Sequence, residues 1–289
     1  MILLLLHWGS FPTAASAWGP LGHRIVCAVA LDRLDAAERS EVDRLAARFR
    51  QPDGRRMRNF TTGCVFADVA RGRARDGAAG WTRYSRFNRW HYVNFPRDST
   101  EVTREHCGGD CVLTGIDRHF SEFANHDLPE SQRAEAMLLM AHWIADAHQP
   151  LHVAFEDDRG GNEIRPIRGG FYRQGNLHSV WDSGIVEKAV GKVDWWEFAV
   201  GLSRSVGSTT ARRWRSTVLQ QWIDESRTIT VDRDLTYCRA PTGRLRCDPI
   251  DGGRLLGAGY QQRWAGTAVD RLVRAGVRLA GYLSRGLQQ

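Results

Sequence analysis

The chain has no run of eighteen apolar residues, so no segment is expected to cross a membrane as a helix. It has no internal repeat, no low-complexity tract and no stretch of linker composition. These absences exclude a repeat array or a string of tethered modules and leave a single domain. No CxxC pair occurs among the six cysteines, which counts against zinc ligation by cysteine and favours disulfides. The first seventeen residues, MILLLLHWGSFPTAASA, carry no Lys, Arg, Asp or Glu. They lack the charged start usual in a secretion signal, yet a short apolar run ends in Ala15-Ser16-Ala17, the small-x-small pattern of a signal-peptidase site. Residues 1–17 are therefore expected to be a signal peptide and 18–289 the working domain, exported to the periplasm or the medium.

What is present fits a globular exported protein. Hydrophobic residues make up 42% and charged residues 25% of the 289, enough for a sizeable core. Lys and Arg number 40 against 33 Asp and Glu, a net +7 with a pI near 9.4. That surplus steers polyanions, whether nucleic acid or an anionic membrane surface. Cys107 and Cys111, in CGGDC, are close enough to close a small loop turned by two glycines. Cys238 and Cys247, in CRAPTGRLRC, flank a Pro-Thr-Gly turn and could staple a hairpin. Cys27 and Cys64 are left over and available to each other, and connectivity stays open among the fifteen arrangements that six cysteines allow.

Apolar residues at three- and four-residue spacing predict helices over GHRIVCAVALDRL and AAERSEVDRLAARF. Thr61 or Thr62 offers a cap for a helix through CVFADVARGRA. RWHYVNF, with aromatic and β-branched residues, has an extended pattern. A helix of about eighteen residues is expected from near Ser131 through AEAMLLMAHWIADAH, with Pro150 as its stop. FEDDRGGNEIRPIRGGFYRQG is Gly-rich and polar and reads as a long loop or irregular hairpin. Helices resume at LHSVWDSGIVEKAV and continue through three tryptophan- and arginine-bearing segments to Arg285. The fold class is all-α.

The segment HWIADAHQPLHV, residues 142–153, sets three histidines and an aspartate at the end of an otherwise apolar helix. His142 and Asp146 are four residues apart and share a face, with roots ~5–6 Å apart. His148 lies roughly 200° around the helix and cannot join them, while His152 follows Pro150, where the chain has left the helix. The same spacing of imidazole and carboxylate recurs in LHSVWD as His178 and Asp182. Each pair offers zinc the N and O donors it takes. A lone core histidine is usually only hydrogen-bonded, and one such pair is often a surface ion pair. Two pairs among Trp, Leu and Ile argue otherwise, because burying Asp146 without a cation or several donors would cost several kcal/mol.

WGPLGHRIV, FADVARGR, WHYVNF, HWIADAHQPLHV, GGN and NLHSVWD occur in this order. Together they resemble the zinc-dependent S1/P1 family of single-strand-preferring nucleases, relatives of the bacterial zinc phospholipases C. The resemblance is strong from Trp18 to about Asp182 and only general beyond. It implies a single mainly helical domain of the phospholipase C/nuclease type, with three Zn2+ ions in a cleft. Carried over motif by motif, one ion takes Asp68, His91, His142 and Asp146, and another takes His152, His178 and Asp182. The third takes His23, Asp146 and Trp18, the last through a free α-amino nitrogen and its carbonyl oxygen. An internal amide nitrogen is a poor donor, so this ligation requires signal cleavage just before Trp18. Asp146 bridges two ions, and His148 is expected to orient a ligand or loop from outside the set.

The resemblance implies hydrolysis of single-stranded DNA and RNA to 5′-phosphorylated products, with 3′-nucleotidase action on mononucleotides as a companion activity. Asp68 and Asp146 would be catalytic through the water that the bridged ions share. Family nucleases often carry HFID, where this chain has HYVN. Asn94 replaces the carboxylate and can only orient water or substrate by hydrogen bonds. Asn162, in RGGN, is a candidate to read a base edge, its bland alternative being a turn residue. Phe87, Trp90 and Tyr92 are candidates to stack a splayed base, and RGRARD could track the phosphate backbone. Two other functions compete. A phospholipase C on the same scaffold typically has Glu in place of Asp182, and a non-catalytic exported zinc protein would not keep every ligand position. No stable protein partner is implied, and a monomer is expected.

Overall fold

The computed structural model describes residues 18–164, 168–169, 175–232, 235, 255–256 and 258–288. Helices α1 (Pro20–Asp32), α2 (Ala36–Ala46), α3 (Phe60–Gly63) and α4 (Phe66–Arg75) lead into a 3₁₀ helix (Thr82–His91) and strand β1 (Val93–Phe95). After a 3₁₀ turn (Arg104–Cys107) come α5 (Val112–Ala124) and α6 (Glu130–Ala147). A second 3₁₀ turn (Pro150–His152) then runs into β2 (Val153–Phe155). The two-residue strand β3 (Arg168–Gly169) precedes α7 (Leu177–Ser179), a π turn (Val180–Gly184) and α8 (Ile185–Val190). Helices α9 (Trp195–Ser205), α10 (Ser208–Arg215) and α11 (Leu219–Thr230), strand β4 (Leu255–Leu256) and helix α12 (Ala258–Gln288) follow. The protein is mainly helical.

Helix α6 is the centre of the packing. It opens after Pro129 and closes ahead of Pro150, and from Ala136 to Ala147 every residue is buried. Helices α1, α2, α4, α5, α11 and α12 all contact it. A helix apolar all round and covered on every side is a core element, so the polar His142 and Asp146 are held in the interior. Helix α1 starts with Pro20 in its first turn and lies against α12. The crossing is close because Gly276 sits where a Cβ would come 2.5 Å from the Val29 Cβ and 2.8 Å from the Val26 carbonyl. Strands β1 and β2 pair in parallel, Val93 with Val153 and Phe95 with Phe155. This short ladder draws the chain after His91 alongside the chain after His152.

Several sequence expectations change. Asn59, not Thr61 or Thr62, caps α3 by accepting the Thr62 N–H at 2.9 Å, and α4 starts separately at Phe66 without a side-chain cap. In RWHYVNF only the half from Tyr92 to Phe95 is extended, since Trp90 and His91 end the 3₁₀ helix that packs Tyr84, Phe87 and Trp90 inward. Of the long loop or irregular hairpin expected over 155–175, the described residues show the loop: turns, and a parallel pairing of Arg168–Gly169 with Leu255–Leu256 in place of a hairpin. Among the described residues four helices, not three, follow α8.

Disulfides join Cys27 to Cys64 and Cys107 to Cys111. Cys238, Cys247 and the expected signal segment 1–17 lie outside the described residues. Among the described residues no helix is long and apolar enough to cross a membrane.

Candidate metal centre

Eight side chains foreseen from the sequence converge. His23 comes from α1, Asp68 from the first turn of α4, His91 from the end of the 3₁₀ helix, and His142 and Asp146 from the last turns of α6. His152 follows Pro150, and His178 and Asp182 stand one turn apart on α7 and the π turn. Donor atoms lie within 4.8 Å of one another in three sets: His23, Asp68 and His142; His91, His142 and Asp146; and His152, His178 and Asp182. All are buried except Asp68, which is partly open.

The two oxygens of Asp146 face different partners. Oδ1 lies 3.4 Å from His23 Nε2, whereas Oδ2 lies 3.0 Å from His91 Nδ1 and 3.4 Å from His142 Nε2. Asp68 closes the other side, 3.8–3.9 Å from the same three imidazoles. At the far end, His178 Nε2 is 3.4 Å and His152 Nε2 3.9 Å from Asp182.

The remaining ring nitrogens fix the tautomers. Nδ1–H of His142 donates to the Cys64 carbonyl at 2.7 Å, that of His152 to the His91 carbonyl at 2.6 Å, and that of His178 to the Gly160 carbonyl at 2.7 Å. Each ring therefore turns an unprotonated Nε2 inward, the arrangement that backbone carbonyls impose on metal-binding histidines. His152 and His178 then face one another with Nε2 atoms 3.1 Å apart. With both protons spent on carbonyls, two lone pairs meet, a repulsion that a cation between them would relieve. His23, His142 Nε2 and Asp146 Oδ1 are fully buried and have no hydrogen-bond partner among the described residues. Buried polar atoms are rarely left so.

The electrostatics agree. Burial, then the charges of Asp68 and Asp182, push the Asp146 carboxyl well above its ordinary range. Burial does the same to Asp182, partly offset by the Gln149 amide that donates to its Oδ1 at 2.6 Å. His23, His91 and His152 are pushed well below the usual imidazole value, chiefly by burial, and His178 to about 4. Neutral imidazoles around costly carboxylates are a donor set that lacks its positive charge. The residues fit a divalent cation.

Trp18 is fully buried, and its side chain lies against Gly22, where a Cβ would come 2.9 Å from the Trp18 Cβ. The next amide, Gly19 N–H, donates to the Asp182 carbonyl at 2.7 Å. The chain at Trp18 thus runs beside Asp182, five residues ahead of His23. His148 points elsewhere. Its Nδ1–H donates to the Ile144 carbonyl at 2.7 Å and its Nε2 accepts from Arg278 at 2.8 Å, so it braces α12.

Tyr92 and Asn94 line a cavity of about 290 Å³ with Arg89, His106, Asp110 and Glu156. Phe87 and Trp90 are buried among Tyr84, His119 and Trp143 and are removed as stacking candidates, because the 3₁₀ helix turns them into the core. The glycines of RGGN serve the protein itself. Gly160, at φ +66°, has a carbonyl that orients His178, and a Cβ there would strike the Leu151 carbonyl at 2.4 Å. Asn162 donates to the Arg159 carbonyl at 2.8 Å and accepts from Asn176, the cap of α7, at 3.2 Å. Within RGRARD, Arg71 stands out. Its charge acts on His91, His142, Asp146, His152, His178 and Asp182. Its position three residues after Asp68 places it on the same helix face, a spacing that could have singled it out. Gln149 was missed entirely, since a glutamine before a proline carries no signal of its own.

Fold and site together define a helical protein with a buried centre suited to divalent cations. The S1/P1 nuclease family model matches residues 18–288, and the chain belongs to that family, a hydrolase acting on phosphodiester bonds. The match extends the resemblance through the C-terminal helices. The chain is 28% identical over 289 residues to Endonuclease 2 of Arabidopsis thaliana, covering 93% of this chain and 90% of that protein. It is 25% identical over 292 residues to Endonuclease 1 of the same plant, covering 94% and 88%. To Nuclease P1 of Penicillium citrinum it is 33% identical over 89 residues, 29% of this chain and 31% of that protein.

Proposed function

We propose that this nuclease cleaves single-stranded DNA and RNA to 5′-phosphorylated products, with 3′-nucleotidase activity, using three zinc ions. The observation that carries the reading is the set of inward, unpartnered donors on His23, His142 and Asp146 beside the opposed imidazoles of His152 and His178. Asp68, His91, His142 and Asp146 would hold one ion, and His152, His178 and Asp182 a second. His23, Asp146 and Trp18 would hold the third, through the amine that signal cleavage exposes. Bound zinc supplies an acidic water near neutral pH and screens phosphate charge. The bridging role proposed for Asp146 is supported by its two oxygens facing different histidines.

The chain's own groups then position substrate. Arg71, whose charge reaches across the cluster, would draw the phosphate in and orient it. The cavity lined by Tyr92 and Asn94 would take the base of the flanking nucleotide, which must be splayed from any duplex to enter. That requirement is the source of the single-strand preference. Asn94 offers that base a neutral amide with both a donor and an acceptor. Asn162 completes the substrate side, its amide turning from Asn176 to a base edge. Export is supported by the disulfides and by the pattern of residues 1–17.

The test uses protein that starts at Trp18, loaded with zinc. Single-stranded DNA, duplex DNA, a nucleoside 3′-monophosphate and phosphatidylcholine are offered in parallel while bound zinc is counted. Preferred cleavage of the single strand at three zinc ions per chain is expected. Hydrolysis of phosphatidylcholine in place of the single strand would replace the reading with a phospholipase C. Retaining residues ahead of Trp18 should cost one ion and most activity.

A further inference from the structure

A second concavity, of about 600 Å³, lies between α5, the start of α11 and the end of α12. That volume is in the ~300–1,000 Å³ range of ligand sites. Three guanidinium groups line it, Arg104, Arg215 and Arg285, against one carboxylate, Asp117. Arg104 pairs with Asp117 at 2.6 Å, while the other two form no ion pair among the described residues. Arg285 rests over the Tyr282 ring, 4.3 Å from its centroid. The stem of Arg215 lies on Gly281, where a Cβ would come 3.3 Å from its Cγ, so the side chain has a seat on α12. Among the described residues its guanidinium makes one hydrogen bond, to the Arg33 carbonyl at 3.2 Å, and its buried Nε has no partner. Guanidinium donors left unused in a positive concavity are suited to phosphate oxygens.

The groove is joined to the candidate base cavity by a shared wall. The segment 104–113, closed by the Cys107–Cys111 disulfide, gives Arg104 and Leu113 to the groove and His106, Asp110 and Cys111 to the cavity of Tyr92 and Asn94. This wall is tied to the residue just ahead of β1 by the Val112 N–H, which donates to the Tyr92 carbonyl at 3.2 Å. We infer that the arginine groove is an extended binding track for the phosphodiester backbone of a long single strand, several nucleotides from the scissile bond. The inference rests on the nuclease reading of the metal centre. It adds a site that favours polymers over short substrates without touching the reacting groups.

The experiment compares the zinc-loaded enzyme with its Arg104→Gln/Arg215→Gln/Arg285→Gln variant on oligothymidylates of two and twenty nucleotides. Cleavage of the dinucleotide by both proteins secures the reading of the centre independently. For the 20-mer, KM should rise ~10-fold in the variant, and the slope of log affinity against log salt should fall by about 2, the release expected for three single-strand phosphate contacts at ~0.7 each. Dinucleotide kinetics and zinc content should not move. An unchanged KM and salt slope for the 20-mer would overturn the track, as would an equal loss on both substrates. A melting temperature matched to the parent excludes misfolding, and Arg→Lys replacements should restore most of the salt slope.

Discussion

Replacing Cys27 and Cys64 together by alanine should damage the metal centre as well as the fold. The bridge closes a loop with a sequence separation of 37, and removing that constraint from the unfolded chain costs about 4 kcal/mol. In a chain of this length that lowers the melting temperature by about 7 °C. The bridge also holds three donors together. Cys27 lies one turn after His23 on α1, Cys64 lends its carbonyl to His142 at 2.7 Å, and Asp68 follows four residues after Cys64. Without the bridge α1 can shift against the α3–α4 segment, and zinc affinity should fall ~10–100-fold, as when orienting groups are lost. Cys107→Ala/Cys111→Ala is the control. Its separation of 4 predicts a loss of only about 2 kcal/mol, and no donor hangs on it. Calorimetry with and without zinc, alongside competitive zinc titration, separates the two effects. A lower melting temperature with zinc affinity unchanged from the parent would refute the positioning argument.

Asp146→Asn should be the most damaging single ligand change, because its two oxygens face His23 on one side and His91 and His142 on the other. Elemental analysis should find at least one ion missing with helix content intact by circular dichroism, and full zinc occupancy would contradict the arrangement. His142→Ala should lose zinc, whereas His148→Ala should keep it and lose ~1–3 kcal/mol with its charged hydrogen bond from Arg278, whose guanidinium keeps Glu225; equal zinc loss in both would contradict the different directions of the two rings. Gly276→Ala should destabilise by ~1–3 kcal/mol or more, since the added methyl meets Val29 and the backbone of α1, measured as a shift in denaturant midpoint. Burial alone would raise the Glu225 carboxyl, but hydrogen bonds and charges from Arg278 and Arg271 outweigh it and hold it at about 2. Its folded value lies below the unfolded 4.5, so its stabilisation is present above that pH and is lost as pH falls toward 2. After allowance for solvent screening it amounts to ~1–2 kcal/mol, and Glu225→Gln should flatten that part of the acid-stability curve.

The sequence alone determined the parts governed by local spacing. The i, i+4 geometry of His142 with Asp146 and of His178 with Asp182 follows from the helix repeat, as does the exclusion of His148 from that face. The stop at Pro150 follows from the missing N–H of proline, and the apolar length of α6 required a buried helix. Ordered motifs made the family legible without any contact map. Tertiary structure decided what depends on elements far apart in the chain. The carbonyls of Cys64, His91 and Gly160 choose the ring nitrogen that faces inward, and no side-chain pattern encodes a backbone oxygen. The pairing of Cys27 with Cys64 required α1 to lie beside α3. Phe87 and Trp90 proved to be core because a 3₁₀ helix runs through both to His91, replacing at Trp90 the extended chain expected from Arg89, and local propensity yields to packing in so aromatic a segment. The arginine groove gathers residues 104, 215 and 285 from three separate segments, and charge scattered along a sequence becomes a surface only when the helices are in place.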